Sequence, residues 1–175
     1  MPADTALLIL DAQINMFDAA LFDGAVLLER LRTLIDRAHA AGIPVVYVQN
    51  SGGAGDPDEP GTVGWALHPA LPIEPADQVI EKRVPDAFDG TSLQQELAAR
   101  GIRTLVIAGM QTELCIDATC RRAAALGYDV TLVADGHSTF DGSSLSAADI
   151  IARQNAQLGA LATLQQARDV TFGTR

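Results

Sequence analysis

At 175 residues, with nearly half of them apolar and only 19% charged, the chain has material for one full-sized core, too little for two, and no tract polar enough to stay disordered. Its net charge of −10, with arginines scattered among more numerous carboxylates, excludes a nucleic-acid backbone or an anionic membrane as partner, since both need clustered cations. Two cysteines, Cys115 and Cys120, are too few for a disulfide framework and badly spaced for a bridge within a helix, so both read as free thiols. The start, MPADTALLILD, has no basic residue and its apolar run stops at Asp11, so no signal peptide or membrane span can be drawn and a cytoplasmic chain is expected, with one domain over residues 1–175.

Taken in order, Ala6 to Leu10 reads as a first strand, closed by Asp11 and the turn AQINMFD. Gly24 to Ala41 carries apolar residues at Val26, Leu27, Leu31, Leu34, Ile35 and Ala38, the three-to-four spacing of an amphipathic helix, with Gly42 as its stop. PVVYVQ, Pro44 to Gln49, is the next strand and completes a right-handed βαβ unit. Asn50 to Pro72 is rich in glycine, proline and acids and has no sustained period; connections of that length in compact domains are functional or mobile, and this one is expected to act as a lid.

Val79 to Arg83 predicts a short strand, followed by a helix from Ser92 to Arg100 with Thr91 as N-cap and Gly101 as stop. The buried run Leu105 to Ala108 ends in Gly109, and an alanine-rich helix begins a few residues later with Cys115 in its first turn. Asp129 to Ala134 predicts another buried strand, Leu145 to Leu164 a long helix, and Asp169 to Phe172 a last edge strand. Apolar strands alternating with helices imply a three-layer αβα domain in the doubly wound class, with a mostly parallel sheet of about six strands.

Three residues stand at the carboxyl ends of predicted strands, where open α/β sheets bind ligands. Cys115, with Thr112 as helix N-cap, sits near unpaired backbone N–H groups, a setting that lowers a thiol pKa; the alternative is a small apolar core residue. Asp11 can take the thiol proton and return it to a departing amine, or be an ordinary strand-end aspartate. Lys82 is the only lysine beside eleven arginines, a compact ammonium kept where the broad arginine fork fits a tight ion pair poorly. Phe17, Trp65, His68 and Phe88 are candidates to wall a substrate pocket, with core or rim packing as the alternative.

Five blocks in this order, LLILDAQINMF, PGTVGWALHPAL, VIEKRVPDAFDGTSL, LVIAGMQTELCIDAT and GYDVTLVADGHSTF, make the chain resemble the isochorismatase-like cysteine hydrolases, which include nicotinamidases, N-carbamoylsarcosine amidases and ureidoacrylate amidases. The resemblance implies an Asp–Lys–Cys triad on Asp11, Lys82 and Cys115, a non-proline cis peptide at Met110–Gln111, and an oxyanion hole from the N–H groups of Gln111 and Cys115. It also implies a small-molecule substrate, no cofactor, and assembly into dimers or larger homo-oligomers.

Nicotinamidases of this superfamily carry an Asp-x-His metal motif after the second strand, whereas this chain has Asn50 and Gly52 there, and no pair among His39, His68 and His137 has helical zinc-ligand spacing; no bound metal is expected. Gly52, Gly53 and Gly55 lead into DPDEPG rather than a helix, which removes a phosphate loop. The expected activity is hydrolysis of a small amide or carbamoyl C–N bond through a thioester. Two rivals stand beside it: vinyl-ether hydrolysis with Asp11 as acid and Cys115 a bystander, and a non-catalytic thiol sensor or ligand-binding module.

Overall fold

Six strands, all parallel, run in the order β3-β2-β1-β4-β5-β6. They are β1 (Thr5–Leu10), β2 (Val45–Asn50), β3 (Gln78–Lys82), β4 (Thr104–Met110), β5 (Asp129–Ser138) and β6 (Thr163–Gln165). The structure is a computed structural model and describes residues 4–173; the first three residues of the N-terminal stretch read above, and the last two of the expected domain, lie outside them. Among the described residues no helix is long and apolar enough to cross a membrane.

The central strands β1, β2 and β4 are largely apolar and almost wholly buried because they are covered on both faces. Leu7 and Ile9 of β1 face a core built with Leu27, Leu31, Leu34, Ile35 and Ala38 of α1 (Gly24–Ala40). Ala6, Leu8 and Leu10 face the opposite core, with Leu93 and Leu97 of α2 (Leu93–Ala99), Cys120 and Ala123 of α3 (Asp117–Ala125) and Leu158 of α4 (Ala147–Leu158). This is the expected three-layer doubly wound architecture. Cys120, fully buried among these side chains, is a core residue.

The strand order reverses direction between β1 and β4, and a crevice opens at the carboxyl ends of strands at such a point. Leu10 pairs with Gly109 there, and a Cβ on Gly109, whose φ is +121°, would run into the Leu10 backbone. Only glycine lets the two strands close up beside the site.

The C-terminal third departs from expectation. The helix predicted to Leu164 ends at Leu158, and the edge strand is Thr163–Gln165 rather than Asp169–Phe172, where Ala167–Asp169 makes a 3₁₀ turn. Gly159 interrupts the helical run, and the short segment after it gains more by pairing with β5 at Thr131 to Val133 than as an exposed helical end. β5 continues four residues beyond the predicted Ala134, through a register irregularity, so that His137 pairs with Gly109 and Ser138 with Met110. Before α2, Thr91 accepts from the Leu93 N–H at 3.2 Å, although Ser92 occupies the cap position.

Candidate active site

Four neighbouring strand ends supply the site. β1 leads directly into Asp11, which has a left-handed φ of 48°, a conformation aspartate tolerates better than most residues. β2 ends at Asn50, which is in register with Lys82 at the end of β3. β4 runs into the cis Met110–Gln111 peptide and then into a π-helical turn, Thr112–Ile116, that carries Cys115.

Lys82 is the centre of the arrangement. Its side chain is fully buried, and its Nζ donates to Asp11 Oδ2 at 3.0 Å, to Asn50 Oδ1 at 3.0 Å and to Cys115 Sγ at 3.2 Å. An ammonium has three N–H bonds to give, and all three are used. Such a compact donor set explains why the one lysine of the chain stands here, since a planar guanidinium cannot point at three converging acceptors.

Asp11 is 4% exposed and its Oδ1 is buried without a hydrogen-bond partner, while the Cys115 thiol lies close enough to couple to the carboxylate. Burial pushes the Asp11 carboxyl above its ordinary range, opposed by the Lys82 ammonium. Burial also pushes the Cys115 thiol up, to about 12, with the Asp11 charge adding and Lys82 opposing. This corrects the expectation of a thiol lowered by helix N–H groups. Thr112 is not a helix cap, its hydroxyl lying 2.9 Å from His137 Nδ1, and desolvation plus a neighbouring carboxylate outweigh the dipole of one turn.

Asp11, Gln111 and Cys115 open onto a cavity of about 340 Å³, also lined by Gln13, Met16, Asn50, Asp58, Arg83, Val84, Pro85 and Leu114. That volume lies within the range of small-ligand sites. None of Phe17, Trp65, His68 and Phe88 lines it. Phe17 and His68 meet in a tilted contact, ring centroids 4.9 Å apart and planes at 59°, and line a separate hollow with Leu21 and Leu28. Phe88 is core, 7% exposed and packed on Tyr128. Trp65 braces the long connection, its indole N–H donating to Ser51 Oγ at 3.1 Å.

That connection is a fastened wall rather than a free lid. Gln13, 1% exposed, donates to the carbonyls of both Asn50 and Trp65 at 2.9 Å and accepts from the Asn50 N–H at 2.8 Å. Asp58 accepts from Asn50 Nδ2 at 2.6 Å, and a side chain on Gly52 would collide with that carboxylate. Gln13, Asn50 and Asp58 escape sequence reasoning because amides and loop acids are common; the one signal was the polar end of β2 in register with Lys82. Among the described residues no group of three or more His, Cys, Asp or Glu side chains is placed to hold a metal ion.

Residues 5–166 match the model of the isochorismatase domain. The chain belongs to the isochorismatase family. An isochorismatase of known structure from Pseudomonas putida KT2440 superposes with a TM-score of 0.91 at 28% identity, covering 95% of this chain and 90% of that one. In sequence, this family member is similar to a streptothricin hydrolase of Streptomyces noursei, at 41% identity over 78% of this chain and 50% of the relative. A ureidoacrylate amidohydrolase of Methylorubrum extorquens is 33% identical over 76% of this chain and 69% of its own length. The chain spans about half the length of the streptothricin hydrolases it matches.

Proposed function

We propose that this isochorismatase-family protein is a cysteine hydrolase of a small amide or carbamoyl C–N bond. The observation that carries the reading is the Lys82 ammonium bonded at once to Asp11 and Cys115. When the thiol proton passes to Asp11, negative charge moves from the carboxylate to the sulfur, and Lys82 touches both ends of that transfer. The cation therefore stabilises the state before and the state after, and a thiol that is hard to ionise alone can ionise by transfer.

In the proposed sequence the thiolate attacks the substrate carbonyl and the N–H groups of Gln111 and Cys115 hold the oxyanion. The C–N bond then breaks as protonated Asp11 gives its proton to the leaving amine. Water, deprotonated by Asp11, cleaves the thioester, releasing the acid and restoring the thiol. The amidohydrolase among the relatives supports C–N chemistry, and the place of Cys115 on the cavity wall favours a thiol-dependent reaction over vinyl-ether hydrolysis.

The test incubates wild type and Cys115→Ser with a panel of small amides, carbamoyl compounds and isochorismate, following ammonia release and acyl adducts by mass spectrometry. Turnover and a Cys115 adduct in wild type alone are expected. Turnover that survives in the Ser variant overturns the nucleophile, and a broad panel with neither product nor adduct favours a binding module.

A further inference from the structure

Behind the nucleophile turn lies a buried polar chain that the proposed reaction does not use. Thr112 is fully buried, and its Oγ1 is 2.9 Å from His137 Nδ1; His137 is 3% exposed, and its Nε2 is 3.0 Å from Asn155 Oδ1. Asn155 Nδ2 donates to the Ala134 carbonyl at 2.9 Å. A carbonyl can only accept, so the amide nitrogen must face Ala134 and the amide oxygen must face the imidazole. Burial holds the imidazole below its ordinary pKa and so neutral; its one ring proton then sits on Nε2, Nδ1 is an acceptor, and the Thr112 hydroxyl donates to it.

We propose that His137 is a positioning residue, which grips Thr112 through its unprotonated Nδ1 and so fixes the turn that presents Gln111 and Cys115 to the substrate. The grip acts on the residue directly after Gln111, from a strand whose register sets His137 beside Gly109 of β4. Asn155 of α4 sets the tautomer, so the order of the turn is transmitted from α4 through His137 of β5 to the oxyanion site. The inference rests on the acyl-transfer reading above and deepens it.

The two can be separated with two probes. p-Nitrophenyl acetate acylates a cysteine: the Cys115 sulfur bonds to the acetyl carbon, p-nitrophenolate leaves, and the thiol proton passes to Asp11, a step that needs the oxyanion site. Iodoacetamide alkylates the same sulfur at a CH₂ carbon and needs only thiolate. Thr112→Val is expected to slow acylation by about 10- to 100-fold while Cys115 alkylation stays near the wild-type rate, and Thr112→Ser, which keeps the hydroxyl, is expected to restore acylation.

In the wild-type protein, ¹⁵N NMR of the imidazole is expected to show Nε2–H with a bare Nδ1. Unchanged acylation in Thr112→Val, a parallel fall of both rates, or an Nδ1–H tautomer each overturns the positioning role. If wild-type Cys115 is alkylated but never acylated, acyl transfer itself is wrong and the positioning role falls with it.

Discussion

Asp11→Asn should make Cys115 more reactive while slowing turnover. The substitution removes a buried negative charge beside the thiol, keeps Lys82 in place, and turns an amide N–H donor toward the site. A unit charge near 4 Å at an effective dielectric of about 20 is worth roughly 4 kcal/mol, or about three pH units; we take about two, leaving the rest to relaxation. A thiol now pushed up to about 12 then falls to about 10, and the thiolate fraction at pH 8 rises about 100-fold. The weaker basicity lowers intrinsic nucleophilicity by about 6- to 10-fold, so iodoacetamide should alkylate Cys115 about tenfold faster than in wild type, read by peptide mass spectrometry over a time course. Catalysed hydrolysis should fall by about 10²- to 10⁴-fold with the proposed general base gone. Slower alkylation in Asp11→Asn would refute the reasoning, because it would mean that the resting pair already holds thiolate against a protonated Asp11.

Lys82→Met leaves a buried carboxylate with its cation removed and should lower stability by about 3–5 kcal/mol at pH 8, read from urea midpoints. Below the unfolded aspartate pKa, Asp11 is protonated in both states and that penalty should shrink; an equal loss at both pH values argues against an ionised Asp11. Burial holds His137 below its ordinary pKa, so its contribution is present above the unfolded pKa of about 6.5 and lost as pH falls through the folded value. His137→Gln should therefore lose less stability than wild type between pH 7 and pH 5, in the same urea assay. Gly109→Ala, which puts a Cβ into the Leu10 backbone at positive φ, should cost roughly 2–5 kcal/mol and shift the thermal midpoint by at least several degrees; a wild-type midpoint would mean that β1 and β4 can move apart.

The central strands β1, β2 and β4 are legible from their apolar runs, because burial on two faces leaves little other composition, and the edge strand β3 is legible within one residue from the shorter run after Gln78. β5 was cut short at Asp135 and Gly136, residues that look like a turn and instead carry a register irregularity. The end of α4 and the position of β6 are hidden for a related reason: an edge strand of three residues, none of them buried, has too little pattern to compete with a helical run. Asp11, Lys82 and Cys115 were legible because strand ends converge at a switch point whatever the loops do. The cavity wall was not, since Met16, Val84, Leu114 and Asp58 meet only through tertiary packing. The protonation of the thiol is not legible in the sequence, which reveals a helix start but not how deeply the sulfur is desolvated.

The valence of Lys82 carries a consequence for substrate choice. A donor whose three hydrogens are already committed has none left for an incoming molecule, so a substrate oxygen can reach this cation only by evicting Asp11, Asn50 or the sulfur itself. Lys82 is thereby confined to governing charge within the protein. In the proposed reaction, discrimination between one small carbonyl compound and another falls to the rim, where the Arg83 side chain and the apolar surfaces of Met16, Val84 and Leu114 can be exchanged without removing a partner of Lys82, whereas Asp58 is tied to Asn50 and acts on Asp11.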